Sequence, residues 1–265
     1  MKIIYLTLSL LVGIYFLIVI SIYLFQRNLL YHPAENNYLE EKLLEHNIQK
    51  IVIPSEHELT GWYYKKNSKF KTLLFFHGNA GKLENRIYKL NDLSKLNINY
   101  LIIAYRGFSG NEGSPSEDGL YLDARAAKKW LNSNGIDDNN IILYGESLGT
   151  AISIDLAQDF NFAGIILESP FTSMVDLAKI YYPYLPVSIL LKDRYNSLDK
   201  MKNINSPILV MHGKKDKIVP FNMGVKIFET AKEPKYKYFN DYDDHMMEFN
   251  DNLINSIDNF IKRIN

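Results

Sequence analysis

Ser147 stands at the centre of Gly145-Glu146-Ser147-Leu148-Gly149, directly after the β-rich run Ile141 to Tyr144 and directly before an apolar helical stretch. A serine hydroxyl is a poor nucleophile, so acyl transfer needs it presented on a sharp strand-to-helix turn where a base can reach it. Flanking glycines let the backbone turn that tightly. The string by itself arises easily by chance; its strand–turn–helix setting gives it weight. Attack on a carbonyl also creates an oxyanion that preorganised donors must meet. His77-Gly78-Asn79-Ala80-Gly81, at the end of the run Thr72 to His77, supplies one such donor in the backbone amide of Asn79, and Leu148 supplies the other. A phosphate loop is the competing reading of that turn, but it requires a Lys-Ser/Thr pair after a second glycine. Gly81-Lys82-Leu83 lacks it. His77 itself is expected to hold the loop rather than to act on substrate.

A serine nucleophile needs an imidazole, and the imidazole needs a carboxylate that fixes its tautomer. Of the six histidines, His32 follows an apolar N-terminal run, His46 and His57 precede the nucleophile, and His77 and His212 sit in glycine-containing turns. Only His245 follows both Ser147 and Asp216, which gives the order Ser…Asp…His. Asp216 lies in Gly213-Lys214-Lys215-Asp216-Lys217-Ile218-Val219-Pro220, just past the β-rich run Ile208 to Met211. The acids Asp241, Asp243 and Asp244 before His245 admit a metal site as the rival reading, and a surface aspartate among lysines is the rival for Asp216. The triad expected is therefore Ser147, Asp216 and His245, with no metal and no organic cofactor.

These side chains work only if the chain brings three remote stretches to one edge. From Tyr31 onward, short β-rich runs alternate with amphipathic ones. Lys50 to Pro54 and Leu59 to Lys65 read as antiparallel strands. Thr72 to His77, Ile98 to Tyr105, Ile141 to Tyr144, Gly164 to Leu167, Ile208 to Met211 and Lys235 to Phe239 read as the remaining strands. The continuous apolar character of Thr72 to Phe76 and Ile98 to Ala104 fits strands covered on both faces, hence a mostly parallel α/β sheet. Ligands of such sheets bind at the carboxyl ends of the strands, where all four motifs fall. Helices are expected from about Lys82, over Leu148 to Gln158, Met223 to Ala231, and through Leu253, Ile257, Phe260 and Ile264. Another begins with Ser114 as cap, Pro115 at its first position and Glu117 closing a capping box. The stretch of about 170–206 carries apolar patches and reads as a small lid.

Thirty acidic and thirty basic residues balance, and no basic stripe interleaves with aromatics, so nucleic acid is not an expected partner. No cysteine occurs, which removes disulfides and thiolate chemistry. Ile3 to Phe25 carries no charge between Lys2 and Arg27. As a helix it covers roughly 34 Å at about 1.5 Å per residue, enough for a hydrocarbon core of about 30 Å. It lacks the small-residue site at which a signal peptide is cleaved. The expected organisation is a transmembrane anchor over 1–26 and one catalytic domain over 27–265. Counting Lys2 and the amine against Arg27 and Lys42 leaves a slight lean to a non-cytoplasmic domain.

The chain resembles the α/β-hydrolase superfamily and, within it, single-pass α/β-hydrolase-domain proteins related to serine aminopeptidase-like hydrolases. The resemblance rests on Phe25-Gln26-Arg27 with Leu30-Tyr31-His32-Pro33, on the His77 to Gly81 turn, and on Tyr105-Arg106-Gly107-Phe108-Ser109-Gly110 with Gly113-Ser114-Pro115-Ser116. Glu168-Ser169-Pro170-Phe171-Thr172-Ser173 and the Gly213 to Pro220 stretch complete it. It implies the α/β-hydrolase fold, the triad Ser147, Asp216 and His245, and oxyanion amides at Asn79 and Leu148. Tyr105 and Arg106 resemble scaffold elements. Thr150 departs from the pattern, where relatives often carry Gly or Ala. The expected activity is hydrolysis of an ester- or thioester-type acyl bond in a small-molecule or lipid-derived substrate. An aminopeptidase-like amidase and an inactive binding protein are the alternatives, and no obligate protein partner is evident.

Overall fold

The strands that carry no alternation are the ones buried on both faces. In the computed structural model, which describes residues 1–35, 41–44 and 46–264, every residue of Thr72–Phe76 and Asn99–Ile103 is buried. The main sheet among the described residues has eight strands: β1 (Gln49–Ile53), β2 (Leu59–Tyr64), β3 (Thr72–Phe76), β4 (Asn99–Ile103), β5 (Ile141–Glu146), β6 (Gly164–Glu168), β7 (Ile208–Gly213) and β8 (Lys235–Asn240). Their spatial order is β1-β2-β4-β3-β5-β6-β7-β8. β2 alone runs opposite to the other strands, so every strand from β3 to β8 delivers its carboxyl end to the same edge.

The helices are α1 (Lys2–Leu30), α2 (Ile87–Lys95), α3 (Glu117–Ser133), α4 (Leu148–Asp159), α5 (Met174–Tyr181), α6 (Val187–Leu190), α7 (Ser197–Met201), α8 (Phe221–Thr230) and α9 (Asp251–Arg263). The cap of α3 corrects the expectation. Ser116, not Ser114, is the N-cap, accepting from the Gly119 amide. Glu117 therefore occupies the first helical position, and its carboxylate accepts from the Arg194 and Tyr195 amides, before α7, instead of closing a box. A long-range demand for an acceptor outweighs the local motif.

α1 is long and apolar enough to cross a membrane, and most of its length stands exposed. Its carboxyl end is held. Gln26 donates to the Leu190 carbonyl and accepts from the Lys192 amide, and Arg27 forms a two-pronged ion pair with Asp193. Immediately afterwards, His32–Pro33 pairs in parallel with Ala80–Gly81, a short bridge that sequence periodicity does not signal.

Candidate active site

The chain turns from β5 into α4 at Ser147, whose φ of 52° and ψ of −113° lie far from any region comfortable for an L-residue. Such strain is maintained only where surroundings over-determine it. A side chain on Gly149 would overlap the Phe76 carbonyl, and one on Gly145 would overlap the Gly149 backbone. The two flanking glycines are thus required by close approach of the elbow to β3 and to itself. The Ser147 amide donates to the Glu168 carbonyl at 2.9 Å, and the Thr150 hydroxyl donates to the Ser147 carbonyl at 2.6 Å, so the turn accommodates Thr150.

The structure brings the three expected side chains together. The Ser147 hydroxyl lies 2.9 Å from Nε2 of His245, and Nδ1 of His245 lies 2.8 Å from Oδ2 of Asp216. A carboxylate only accepts, so Nδ1 carries the proton and Nε2 is free to receive one from Ser147. Both ring nitrogens of His245 are committed to this chain of contacts rather than to the acids at 241–244. Asp216 is buried on the loop after β7. Burial alone would raise its carboxyl, but hydrogen bonds from His212 and His245, the charge of His245 and the Val219 amide hold it well below the usual carboxylate range. Oδ1 also accepts from Ile218 and Val219, each at 2.8 Å. The Ser169 hydroxyl donates to the His245 carbonyl and fixes the loop that carries the imidazole.

Across the elbow lies the Gly78–Gly81 turn. Leu148 opens α4, so its amide has no intrahelical acceptor. The Asn79 side chain donates to the Leu30 carbonyl at 2.8 Å, and its own carbonyl accepts from the His32 amide. Two hydrogen bonds thereby tie Asn79 to the chain that leaves α1. His77 is fully buried, donates through Nδ1 to the Gly78 carbonyl, and is pushed down to about 3 by burial and by the Arg86 charge. It is a neutral brace.

Beneath both halves runs a buried ion cluster that escaped the sequence reading. Lys89 on α2, fully buried, contacts Glu146 at 2.7 Å and Glu168 at 2.7 Å, while Arg86 contacts Glu146 at 2.5 Å and the Ala80 carbonyl at 3.0 Å. Glu146 also accepts from the Gly78 amide, and Tyr144 donates to Glu168. Two cations balance two anions. Burial raises Glu146, yet Lys89 and Arg86 bring it well below the usual range; burial keeps Glu168 raised despite Lys89. The cluster joins the residue before Ser147, the strand end that holds the Ser147 amide, and the turn that carries Asn79. Lys89→Met strands a carboxylate in a low-dielectric interior. The expected loss is about 3–5 kcal/mol of stability, measurable as a lowered denaturation midpoint, with a double Lys89→Met/Glu168→Gln variant recovering part of it. An unchanged midpoint in the single variant contradicts this account.

His212 is the other residue that sequence reasoning passed over. Its Nε2 donates to Asp216 at 3.1 Å and to the Val219 carbonyl, adding a second imidazole to the carboxylate. Arg106, expected as scaffold, is buried against Asp123 and reaches Glu56 at the surface.

A mostly parallel sheet in this order, with a strained serine turn at the end of β5, defines a hydrolase of the α/β-hydrolase superfamily. Within it the chain belongs to the prolyl oligopeptidase family, whose model matches residues 119–252. An uncharacterised protein of Mycobacterium tuberculosis is 35% identical over 215 residues, covering 79% of this chain and 76% of that protein. The human alpha/beta hydrolase domain-containing protein 17B is 37% identical over 172 residues, 63% of this chain and 57% of that relative. Among solved structures, an alpha-beta hydrolase from Vibrio vulnificus superposes with a TM-score of 0.74 at 25% identity, over 91% of this chain and 92% of that one. A Pyrococcus furiosus esterase superposes at 0.71 with 20% identity, over 88% and 97%.

Proposed function

We propose that the chain is a serine hydrolase that cleaves an ester- or thioester-type acyl bond through an acyl-enzyme on Ser147. The observation that carries this reading is the unbroken contact Ser147–His245–Asp216. His245 takes the hydroxyl proton as Oγ bonds to the carbonyl carbon, and the carbonyl electron pair moves to oxygen, where the Asn79 and Leu148 amides meet it. Collapse expels the leaving group, which takes the proton from His245. Water then adds to the acyl carbon, gives its proton to His245, and the acid departs as that proton returns to Ser147.

Two features favour an apolar, membrane-proximal substrate. α1 is read as a single-pass anchor, with the catalytic domain on the non-cytoplasmic side. An apolar cavity of about 150 Å³ lies between α1 and the lid, lined by Ile22, Leu29, Leu30, Met174 and Leu185. The Leu30 carbonyl is the one that holds Asn79. A second reading, an aminopeptidase-like amidase, draws on the match to the prolyl oligopeptidase family model.

Treatment of the full chain with a fluorophosphonate is expected to give one adduct, mapped by peptide mass spectrometry to Ser147. Acyl esters and thioesters should then turn over faster than aminoacyl amides in a competition panel. An adduct elsewhere removes the assigned nucleophile, no adduct on folded protein favours a binding role, and a preference for amides selects the second reading.

A further inference from the structure

Between Lys179 and Lys192 the lid carries no charge over Ile180-Tyr181-Tyr182-Pro183-Tyr184-Leu185-Pro186-Val187-Ser188-Ile189-Leu190-Leu191. Twelve uncharged residues, all but Ser188 apolar or aromatic, are too few to span a bilayer and suit an interfacial or re-entrant segment. Buried lid segments hide such residues, whereas here Ile189 is 83% exposed and Tyr184 66%. Tyr182 and Ile180 stand about half exposed beside them. Leu185 and Val187 are buried, Leu190 and Leu191 are partly buried, and the Tyr181 hydroxyl donates to the Lys217 and Ile218 carbonyls.

The segment runs alongside α1. The Tyr15 hydroxyl donates to the Tyr184 carbonyl at 3.0 Å, and Gln26 takes the Leu190 carbonyl at 3.1 Å. The lid tip is therefore level with residue 15 of the helix. If α1 fills the hydrocarbon core, whether with 3–22 or with residues up to Phe25, Tyr15 lies about 10–15 Å inside its near boundary at about 1.5 Å per residue. Whatever touches Tyr15 is at that depth too. Lys192 marks the upper edge, its ammonium 4.3 Å from the Tyr23 ring centre, as a cation does when its stem lies along apolar surface and its head reaches for water.

Backbone polarity is the usual objection to irregular chain in lipid. Here the amides of Tyr182, Leu185, Val187, Ile189, Leu190 and Leu191 donate to carbonyls within or just before the segment. Pro183 and Pro186 have no amide to satisfy.

We propose that residues 180–191 are a second membrane contact: a non-spanning lid segment that enters the half of the bilayer nearer the catalytic domain, beside α1. This rests on the reading of α1 as an anchor and adds that the lid of the catalytic domain is itself lipid-bound. The partner is the lipid, chosen over a second copy of the chain because the exposed apolar surface is continuous with the helix that the bilayer would surround.

The chain has no cysteine, so single cysteines can be placed without background. Tyr184→Cys, Ile189→Cys, Leu10→Cys on α1 and Asn139→Cys at the opposite edge of the sheet each take an environment-sensitive fluorophore. The full-length protein is then reconstituted into phosphatidylcholine–phosphatidylglycerol vesicles. A nitroxide on the lipid acyl chain should quench the two lid probes at least about five times as strongly as the Asn139 probe. Lid probes that behave like Asn139 overturn the proposal. If Leu10 is still quenched, the anchor reading survives alone; if Leu10 also escapes, the anchor reading fails with it. Lid probes shielded from aqueous quencher yet untouched by the lipid nitroxide indicate a lid-to-lid dimer and equally overturn it. Thermal melts of the labelled variants, all at exposed positions, establish that each is folded.

Discussion

Ser147→Ala is expected to lower kcat by about a millionfold on an acyl ester, with KM nearly unchanged. The magnitude follows from what the hydroxyl does and what remains without it. In the proposed mechanism Oγ forms the covalent bond, and its loss leaves His245 and Asp216 with no nucleophile to activate. The Asn79 and Leu148 amides and the binding surface survive, so hydrolysis does not fall to the rate in water; triads of this kind retain about 1,000- to 10,000-fold over it. The fold should be indifferent. The side chain of Ser147 contacts His245, its amide bond to Glu168 belongs to the backbone, and alanine tolerates the φ of 52° as well as serine does. Steady-state kinetics beside a thermal melt check both parts. A variant within tenfold of the parent, or one that melts far earlier, removes Ser147 from the role given to it.

The convergence of Ser147, Asp216 and His245 was readable because each sits in a short local string at a strand end, and the order of those strings follows the fold's connectivity. Ser147, Asp216 and His245 needed no knowledge of side-chain packing. The ion cluster did. Lys89 falls on the face of α2 that also carries Ile87, Leu90 and Leu93, and a lysine in such a place reads as a surface residue until Glu146 and Glu168 are seen on the far side of it. The usable signals were a glutamate within the serine string and a lysine interrupting an apolar stripe. The cap of α3 was misread for a related reason. Ser114 and Ser116 both offer a hydroxyl, and the choice is made by the amides of Arg194 and Tyr195, which claim Glu117 across almost eighty residues of chain. The docking of Gln26 and Arg27 onto Leu190, Lys192 and Asp193 is equally non-local. Patterns of period two or 3.6 reveal elements and motifs; partnerships between charged groups far apart in sequence leave no such trace.

The carboxylate allows the sharpest test of the triad, because it can be changed without changing shape. Asp216→Asn is expected to reduce kcat about 10,000-fold. In the parent, Oδ2 accepts from Nδ1 of His245 and Nε2 of His212, while Oδ1 accepts from the Ile218 and Val219 amides. Asparagine keeps the second pair through its carbonyl and places an NH2 where Oδ2 was. That NH2 only donates, so His245 can remain bonded to it only by moving its own proton to Nε2. The ring then offers a proton to Ser147 instead of accepting one, and the base is lost although every heavy atom can keep its place. His212 retains the Val219 carbonyl as acceptor, so its side of the loop is held. Fluorophosphonate labelling should slow in proportion to kcat, since both reactions need the same proton removed from Ser147. Because Asp216 is held well below the ordinary carboxylate range, it stays ionised in mildly acidic solution, and its protonation does not set the acid limb of the parent's rate profile. A variant that hydrolyses esters within about a hundredfold of the parent would mean that His245 keeps its tautomer without Asp216. The carboxylate would then belong to the loop's architecture and not to the proton path.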